Sequence, residues 1–492
     1  MKNQIYNPYM PLTEYVPDGE PHVFGDRVYI YGSHEEAGGS TYCSLPYTVW
    51  SAPVDDLTDW SNNGVSYTVE QDPHATPDRR QMYAPDCVQG KDGRYYLYYC
   101  LSGPQGVGGY WGPISVAVCD SPDGKFEYYG DVRNPDGTTY TRYVAFDPAV
   151  INDGGTVRLY YGTQMPFEDH MNFLNRRILW KMQEKVYRKA YADVSSPEGV
   201  MGAITVPLQD DMLTIASEPR RIAPTKTKDT PWQGHSFFEG SSIRKIGDTY
   251  YFIYSSERNH ELCYATSKFP DRDFVYRGVI VSNGDIGYKG RTDKKRLNHT
   301  GNNHGSIENI NDQWYVFYHR QTHGSDYSRQ ACAERIAILP DGSILQAEMT
   351  SCGLNGGPLA GVGTYPAGIY CNLTNGKMPH ATNRKKYGDF PKGVQREGVF
   401  YLTNLSGGTW VGYKYFAFAG TKAVTLKCRC KGAVSVGASF SMNAVPQKLT
   451  PLPVGDSWQT VKLQPDFPSG TAPLYLYFAG KDCAELLEFT LE

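Results

Sequence analysis

The chain has 492 residues, with 48 Lys and Arg against 52 Asp and Glu, for a formal charge of −4. That balance disfavours nucleic acid or an acidic membrane surface as the main partner and leaves neutral ligands as the natural class. Tyr fills 39 positions and Gly 51, a mixture that suits strands, turns and sugar-stacking surfaces, and equally any large all-β protein.

The opening stretch, MKNQIYNPYMPLTEYVPDGEP, contains no apolar run of the length a signal peptide or membrane span needs, so a cytoplasmic protein is expected. Eleven cysteines are scattered without a C-x-x-C pair. Reduced, mostly buried thiols are therefore expected rather than disulfides or a zinc site.

In chain order, one pattern occurs five times: a polar or acidic lead, a turn, then an aromatic strand of period two. The copies are YVPDGEPHVFGDRVYIYGS (15–33), YAPDCVQGKDGRYYLYYC (83–100), AFDPAVINDGGTVRLYYGT (145–163), FFEGSSIRKIGDTYYFIYS (237–255) and NNHGSIENINDQWYVFYHR (302–320). Their leads, Asp18, Asp86, Asp147, Glu239 and His304, recur at about 60–70 residues with one wider interval after Asp147. Further short strands such as 114–121 and 261–268 complete four-stranded units, and the predicted fold is all-β, a five-bladed β-propeller over 1–352. The wide interval is filled by 168–192, which reads as an amphipathic helix with Phe173, Ile178, Trp180, Met182, Val186 and Tyr187 as its apolar residues. Such an insertion shapes the rim of a site or serves as a packing or dimer-contact element.

Residues 353–365 are rich in Gly and Pro and read as a linker. Short β-rich runs then alternate from 366 to 492 at the spacing of a β-sandwich.

Five blades closing on one axis would bring the leads together. Several carboxyls buried in one depression are costly unless they have work or partners. Paired carboxyls flanking a scissile bond are the tools of glycoside hydrolysis, one protonated and donating to the leaving oxygen, the other activating water or attacking. Glu239 lies among Phe237, Phe238 and Gly240, apolar company that favours the protonated role, whereas Asp18 lies in an open polar turn that suits an ionised base. Asp147 is placed to raise the pKa of Glu239 and to bind a substrate hydroxyl.

Taken together, Pro17-Asp18 ahead of HVFGDRVYIYGSHE, Tyr83-Ala84-Pro85-Asp86, Phe146-Asp147-Pro148, Phe238-Glu239-Gly240-Ser241-Ser242, His304-Gly305-Ser306 and Tyr318-His319-Arg320 resemble glycoside hydrolase family 43 across about 1–350. The resemblance implies inversion at the anomeric centre, with Asp18 as base, Glu239 as acid and Asp147 as the residue that tunes the acid. Where many relatives have Asp-Pro this chain reads Asp18-Gly19-Glu20-Pro21, which makes Glu20 a rival base. His304 resembles an axial histidine that in relatives helps to hold a calcium ion or ordered water, so a structural calcium near His304 is expected, with no cofactor required for the chemistry. Asp86 reads as a pocket residue or a turn cap, and Trp111 in GGYWGP as a stacking wall or the cover of a blade edge. Arg320 and Arg329 are candidates to pair with the acids. The C-terminal part resembles family 6 carbohydrate-binding modules, with Trp410, Tyr413 and Tyr415 as a sugar platform or as core.

The expected activity is exo-acting release of terminal α-L-arabinofuranosyl or β-D-xylosyl units from plant-derived oligosaccharides, as in hemicellulose degradation. The alternatives are an endo-1,5-α-L-arabinanase and a non-catalytic sugar-binding propeller. Partners are the oligosaccharide substrate, with no nucleic acid and no membrane.

Overall fold

The computed structural model describes residues 4–164, 172–197, 199–381, 388–442 and 444–492. Five sheets follow one another in chain order. The first contains β1 (Glu20–Phe24), β2 (Arg27–Tyr31), β3 (Tyr47–Pro53) and β4 (Ser61–Tyr67), and the second β5 (Gln81–Gln89), β6 (Tyr95–Ser102), β7 (Ile114–Cys119) and β8 (Glu127–Asp131). The third holds β9 (Ala149–Asp153), β10 (Thr156–Tyr161), β11 (Ile204–Pro207) and β12 (Arg220–Arg221), and the fourth β13 (Phe237–Ile246), β14 (Thr249–Ser256), β15 (Glu261–Ser267) and β16 (Val275–Ser282). The fifth has three strands, β17 (Ser306–Ile310), β18 (Gln313–Gln321) and β19 (Arg329–Ile336). Each is an antiparallel meander in which the second strand is aromatic and buried, so that neighbouring blades pack through Tyr and aliphatic faces.

The inner strands β1, β5, β9, β13 and β17 are neighbours in turn, and β17 returns to β1. The fifth blade is completed from the other end of the chain. The Asn7 side chain acts like a peptide unit beside β19, with Oδ1 accepting the Ala333 N–H at 2.9 Å and Nδ2 donating to the Ala333 carbonyl at 2.7 Å. The Tyr9 N–H adds a bond to the Ala331 carbonyl.

Between β10 and β11 the third blade carries α1 (Phe173–Tyr187) and α2 (Tyr191–Val194). Residues 168–171 of the expected helix lie outside the described residues. Asn172 caps α1, its side chain accepting the Asn175 N–H. The orientation differs from the expected one. Tyr187 and Gln183 face inward, whereas Phe173, Leu174, Ile178 and Met182 are each about 60–70% exposed.

The segment 353–365 is not a linker. Within it β20 (Leu359–Ala360) and the start of β21 (Gly363–Pro366) pair with strands of the C-terminal sandwich. Gly and Pro are compatible with extended edge strands as well as with loops, and composition does not separate the two. The sandwich continues through β22 (Asn372–Thr374), β23 (Lys392–Arg396), β24 (Val399–Leu405), β25 (Thr409–Phe418), β26 (Val424–Cys430), β27 (Val434–Ser439), β28 (Thr450–Pro451), β29 (Gly455–Leu463), β30 (Gly470–Gly480) and β31 (Ala484–Leu491). Its two sheets, β20-β25-β30-β27-β28 and β23-β24-β31-β26-β29, enclose one apolar core.

The sandwich is joined to the propeller by buried polar contacts. Lys414 lies between Asp285 (3.2 Å) and Glu348 (2.9 Å), and the Leu373 N–H bonds to the Leu297 carbonyl and to Asn298. Of the two readings of these C-terminal aromatics, sugar platform or core, their contacts follow the second. Tyr413 is fully buried and donates to the Ala367 carbonyl, Tyr415 donates to Glu348, and Trp410 packs on Tyr475 and Tyr477.

Candidate active site

The backbone at or near the start of four of the five inner strands sets the site. Asp18, Ala84, Asp147 and Gly240 all adopt left-handed conformations, with φ of 59°, 35°, 44° and 69°. Such a conformation redirects the side chain, just before the strand at Asp18 and Asp147 and at a break in strand register at Ala84 and Gly240, and three of the four positions carry an L side chain, which adopts it at a cost. At Gly240 glycine is required twice over. A Cβ there would meet the His304 ring at 3.2 Å, in a conformation that side chains rarely adopt.

Two residues further along lies a second, deeper level: Glu20, Asp86, Ala149, Ser242 and Ser306, paired respectively with Tyr31, Tyr98, Tyr160, Ile253 and Phe317 of the following strand. This register corrects the expectation for Asp86. The residue level with Asp18 is Ala84, and Asp86 is buried one layer down, displaced by the irregular pairing between Tyr83 and Asp86. Its carboxylate accepts the Cys87 and Val150 N–H groups at 2.7 Å each and contacts His22 Nε2 at 2.6 Å, so it ties blades together and does not line the pocket. Glu20 occupies the same layer, bound by Ser242 (3.2 Å) and Arg244 (3.1 Å), away from the position a base needs.

Above this layer a cavity of about 250 Å³ is lined by Asp18, Asp147, Glu239, His304 and Arg329, with Asn259 and Asn302 among its polar walls. Tyr42, Tyr83, Tyr110, Phe146 and Phe238 form the aromatic sides. Asp18 receives both ends of the Arg329 guanidinium, at 2.8 and 3.1 Å. Burial alone would raise its pKa, but the Arg329 charge overrides that and holds the carboxyl well below the usual carboxylate range. Glu239 experiences the opposite balance. Burial and then the Asp18 charge push it up to about 8, with Arg329 opposing. Asp147 is raised as well, by burial and by the charges of Glu239 and Asp18, while the Gly240 N–H donates to its Oδ2 at 3.0 Å. The contact reaches the residue after Glu239, so Asp147 braces the strand entrance that carries the neighbouring acid.

His304 lies 3.9 Å from both Asp18 and Asp147, and burial lowers its pKa to about 4, which keeps it neutral. Its Nε2 is buried and has no hydrogen-bond partner among the described residues. Calcium takes six to eight oxygen ligands. The groups of three donor side chains close enough to share an ion, among the described residues, are Glu20-His22-Asp86 and His235-Glu261-Cys263, neither of which includes His304. A calcium ion at His304 would have to draw nearly all of its ligands from water.

Two further expectations are corrected. Arg320 points away from the acids, donating to the Tyr370 carbonyl at 2.7 Å and lying over the Tyr370 ring, because strand alternation puts it on the sandwich side of β18. Trp111 is not a pocket wall. Its Nε1 donates to the Val186 carbonyl at 2.7 Å and its ring lies under Arg188, so it fastens α1 to the second blade.

One residue escaped the sequence reading. Glu35 is fully buried and holds Arg329 by Nη2 (2.6 Å), Nε (3.0 Å) and the backbone N–H (2.9 Å). The signal was the first acid in SHEE after β2, one of a charged pair just beyond the aromatic strand.

A propeller whose axial pocket holds one ionised carboxylate and one carboxyl kept protonated has the equipment of a glycosidase. The family model described as Glycosyl hydrolases family 43 matches residues 11–197. The chain is 42% identical over 517 residues to a xylosidase/arabinosidase of Thermoclostridium stercorarium, covering all of this chain and 99% of that one. A xylosidase/arabinosidase of Bacteroides ovatus is 30% identical over 364 residues, 69% of this chain and 97% of the relative. A solved GH43_1 enzyme from Xanthomonas citri, complexed with xylose, matches with TM-score 0.52 at 27% identity, over 69% of this chain and 92% of that one. The chain belongs to glycoside hydrolase family 43 and is a glycosidase.

Proposed function

We propose that the protein is an inverting exo-glycosidase that releases terminal α-L-arabinofuranosyl or β-D-xylosyl units from plant-derived oligosaccharides. The observation that carries this reading is that Asp18, gripped by Arg329 at 2.8 and 3.1 Å, and the buried Glu239 face one cavity of about 250 Å³, in surroundings that lower the first pKa and raise the second. Asp18, ionised and fixed by Arg329, takes a proton from the attacking water. Glu239 gives its proton to the departing glycosidic oxygen, and the product leaves with inverted configuration. Burial and the Asp18 charge keep the proton on Glu239, and Asp147 positions the acid through the Gly240 N–H. The relatives named xylosidase/arabinosidase support both sugars as substrates of one site.

Two accompanying readings are part of the proposal. A structural calcium, if bound, sits at His304 as a hydrated ion and organises the axis, while the steps above use only side chains of this chain. The cytoplasm suits a protein whose eleven cysteines are all free thiols.

The test is hydrolysis of nitrophenyl α-L-arabinofuranoside and β-D-xyloside, with NMR of the first-formed anomer and product analysis on xylo- and arabino-oligosaccharides. Single sugars of inverted configuration are expected. Retained configuration, or internal fragments as first products, overturns the reading.

A further inference from the structure

Away from the pocket, on the fourth blade, three side chains of different chemistry converge. His235 precedes β13, and Glu261 and Cys263 stand two apart on β15, hence on the same face of that strand. His235 Nδ1 lies 2.6 Å from Glu261 Oε1, Cys263 Sγ lies 3.5 Å from that same oxygen, and Sγ and Nδ1 are 3.9 Å apart. A tetrahedral zinc ion, about 2.3 Å from sulfur and about 2.0–2.2 Å from nitrogen or oxygen, sets its ligand atoms roughly 3.3–3.6 Å from one another. Two of the three separations are already within a few tenths of an ångström of that range. The third is short because a proton now joins the imidazole to the carboxylate, and replacing it with a metal ion would widen it.

The geometry points to a zinc-type site formed by Cys263 Sγ, His235 Nδ1 and Glu261 Oε1, with a fourth position open to water. Thiolate, imidazole and carboxylate together favour a borderline ion such as Zn²⁺ over calcium or magnesium, which prefer oxygen alone. The surroundings suit it. Glu261 and Cys263 are buried, and Ser256 Oγ donates to Glu261 Oε1 at 2.6 Å, fixing the carboxylate. His235 is stacked on Tyr276 with ring centroids 5.2 Å apart, yet its side chain is 23% exposed and gives an ion a way in. On binding, the Cys263 thiol proton leaves to solvent and the imidazole proton moves to Nε2, leaving Nδ1 its lone pair. The ion would bridge the entrance of β13 to β15 across the end of β14, four residues before Glu239. Its direct consequence is a stiffer fourth blade, independent of the sugar chemistry.

The test uses the full chain, stripped with chelator and titrated with Co²⁺ alone as a spectroscopic probe, then with Zn²⁺ in competition. One equivalent is expected, with a thiolate-to-cobalt charge-transfer band, and zinc should raise Tm. Cys263→Ser should remove the band. His235→Asn, a change at a partly exposed position at the edge of the core, should weaken binding more than the roughly 10–100-fold that a merely supporting residue costs. His22→Ala, in the other donor cluster, should change neither. No binding by the full chain, or a band that survives Cys263→Ser and disappears in Cys483→Ser, overturns the assignment in favour of a hydrogen-bonded network or a surface thiol.

Discussion

Arg329 holds Asp18 with both terminal nitrogens, at 2.8 and 3.1 Å, while the same guanidinium is held from behind by Glu35 at 2.6 and 3.0 Å. The base is therefore ionised and immobile before substrate arrives, and its orientation depends on a carboxylate that does not line the pocket. The arrangement places a buried cation between two anions, where breaking one contact leaves a charge uncompensated.

Arg329→Lys should lower kcat roughly 10²-fold through lost orientation. It should also shift the pH profile in a defined direction. Asp18 must be ionised to act, and Arg329 holds its pKa well below the usual range. Weakening that hold raises the pKa, so activity in the variant should fall away at a higher pH on the acid side than in the wild type. A kcat/KM profile checks this, and Glu35→Gln should shift the same limb by a smaller amount.

Glu239→Gln removes the proton donor. Loss of roughly 10²–10⁴-fold is expected on oligosaccharides with poor leaving groups, with activated aryl glycosides less affected. In the wild type the acid is protonated below about 8 and ionised above, so activity should decline as pH rises through about 8. Parallel kinetics on both substrate types decide it. Equal loss on the two argues against Glu239 as the acid.

The same residue affects stability. The carboxyl of Glu239 holds its proton up to about 8 when folded, against about 4.3 in an unfolded chain. Its contribution is full below the unfolded value and is lost as pH rises through about 8. The Tm of wild type should therefore drop relative to Glu239→Gln as pH rises from about 4.3 to about 8 and level off above, measured by calorimetry.

Trp111→Phe keeps the ring over which Arg188 lies but deletes the bond to the Val186 carbonyl. A loss of about 1 kcal/mol is expected, with faster proteolysis within 173–194 and KM for small aryl glycosides within about twofold. A large KM change with unaltered proteolysis would restore Trp111 to the sugar site.

Lys414→Met leaves Asp285 and Glu348 facing each other without a cation. About 3–5 kcal/mol of destabilisation is expected. Removal of 366–492 should abolish soluble folding rather than lower affinity for sugar, since the Leu373 and Lys414 contacts with the propeller go with it. Circular dichroism and calorimetry of both variants check this.

The sequence made the blades and the three acids legible because each aromatic strand is preceded by a polar lead in the same short context. It did not reveal level. Asp86 looks like Asp18 in the chain, yet a bulge puts it one layer deeper and leaves Ala84 at the pocket. Trp111 and Arg320 have the chemistry of ligand contacts, but what they touch is decided by α1 and by the sandwich, which no local window contains. Segment 353–365 was misread because an edge strand rich in Gly and Pro has the composition of a linker. Glu35 stands in a visible charged pair, but its importance comes from Arg329, 294 residues away.

The ring of blades is sealed by a side chain, Asn7, seated against Ala333 across 326 residues of chain. The segment around Asn7 is thus the keystone of an arch whose far side is made much later in the chain. Until Ala333 has emerged, the opening segment has no seat, and closing so long a circuit is slow and entropically costly. Biogenesis of this enzyme is for that reason a matter of storage as well as of assembly, with the Asn7 segment held in reserve for the last strand of the fifth blade.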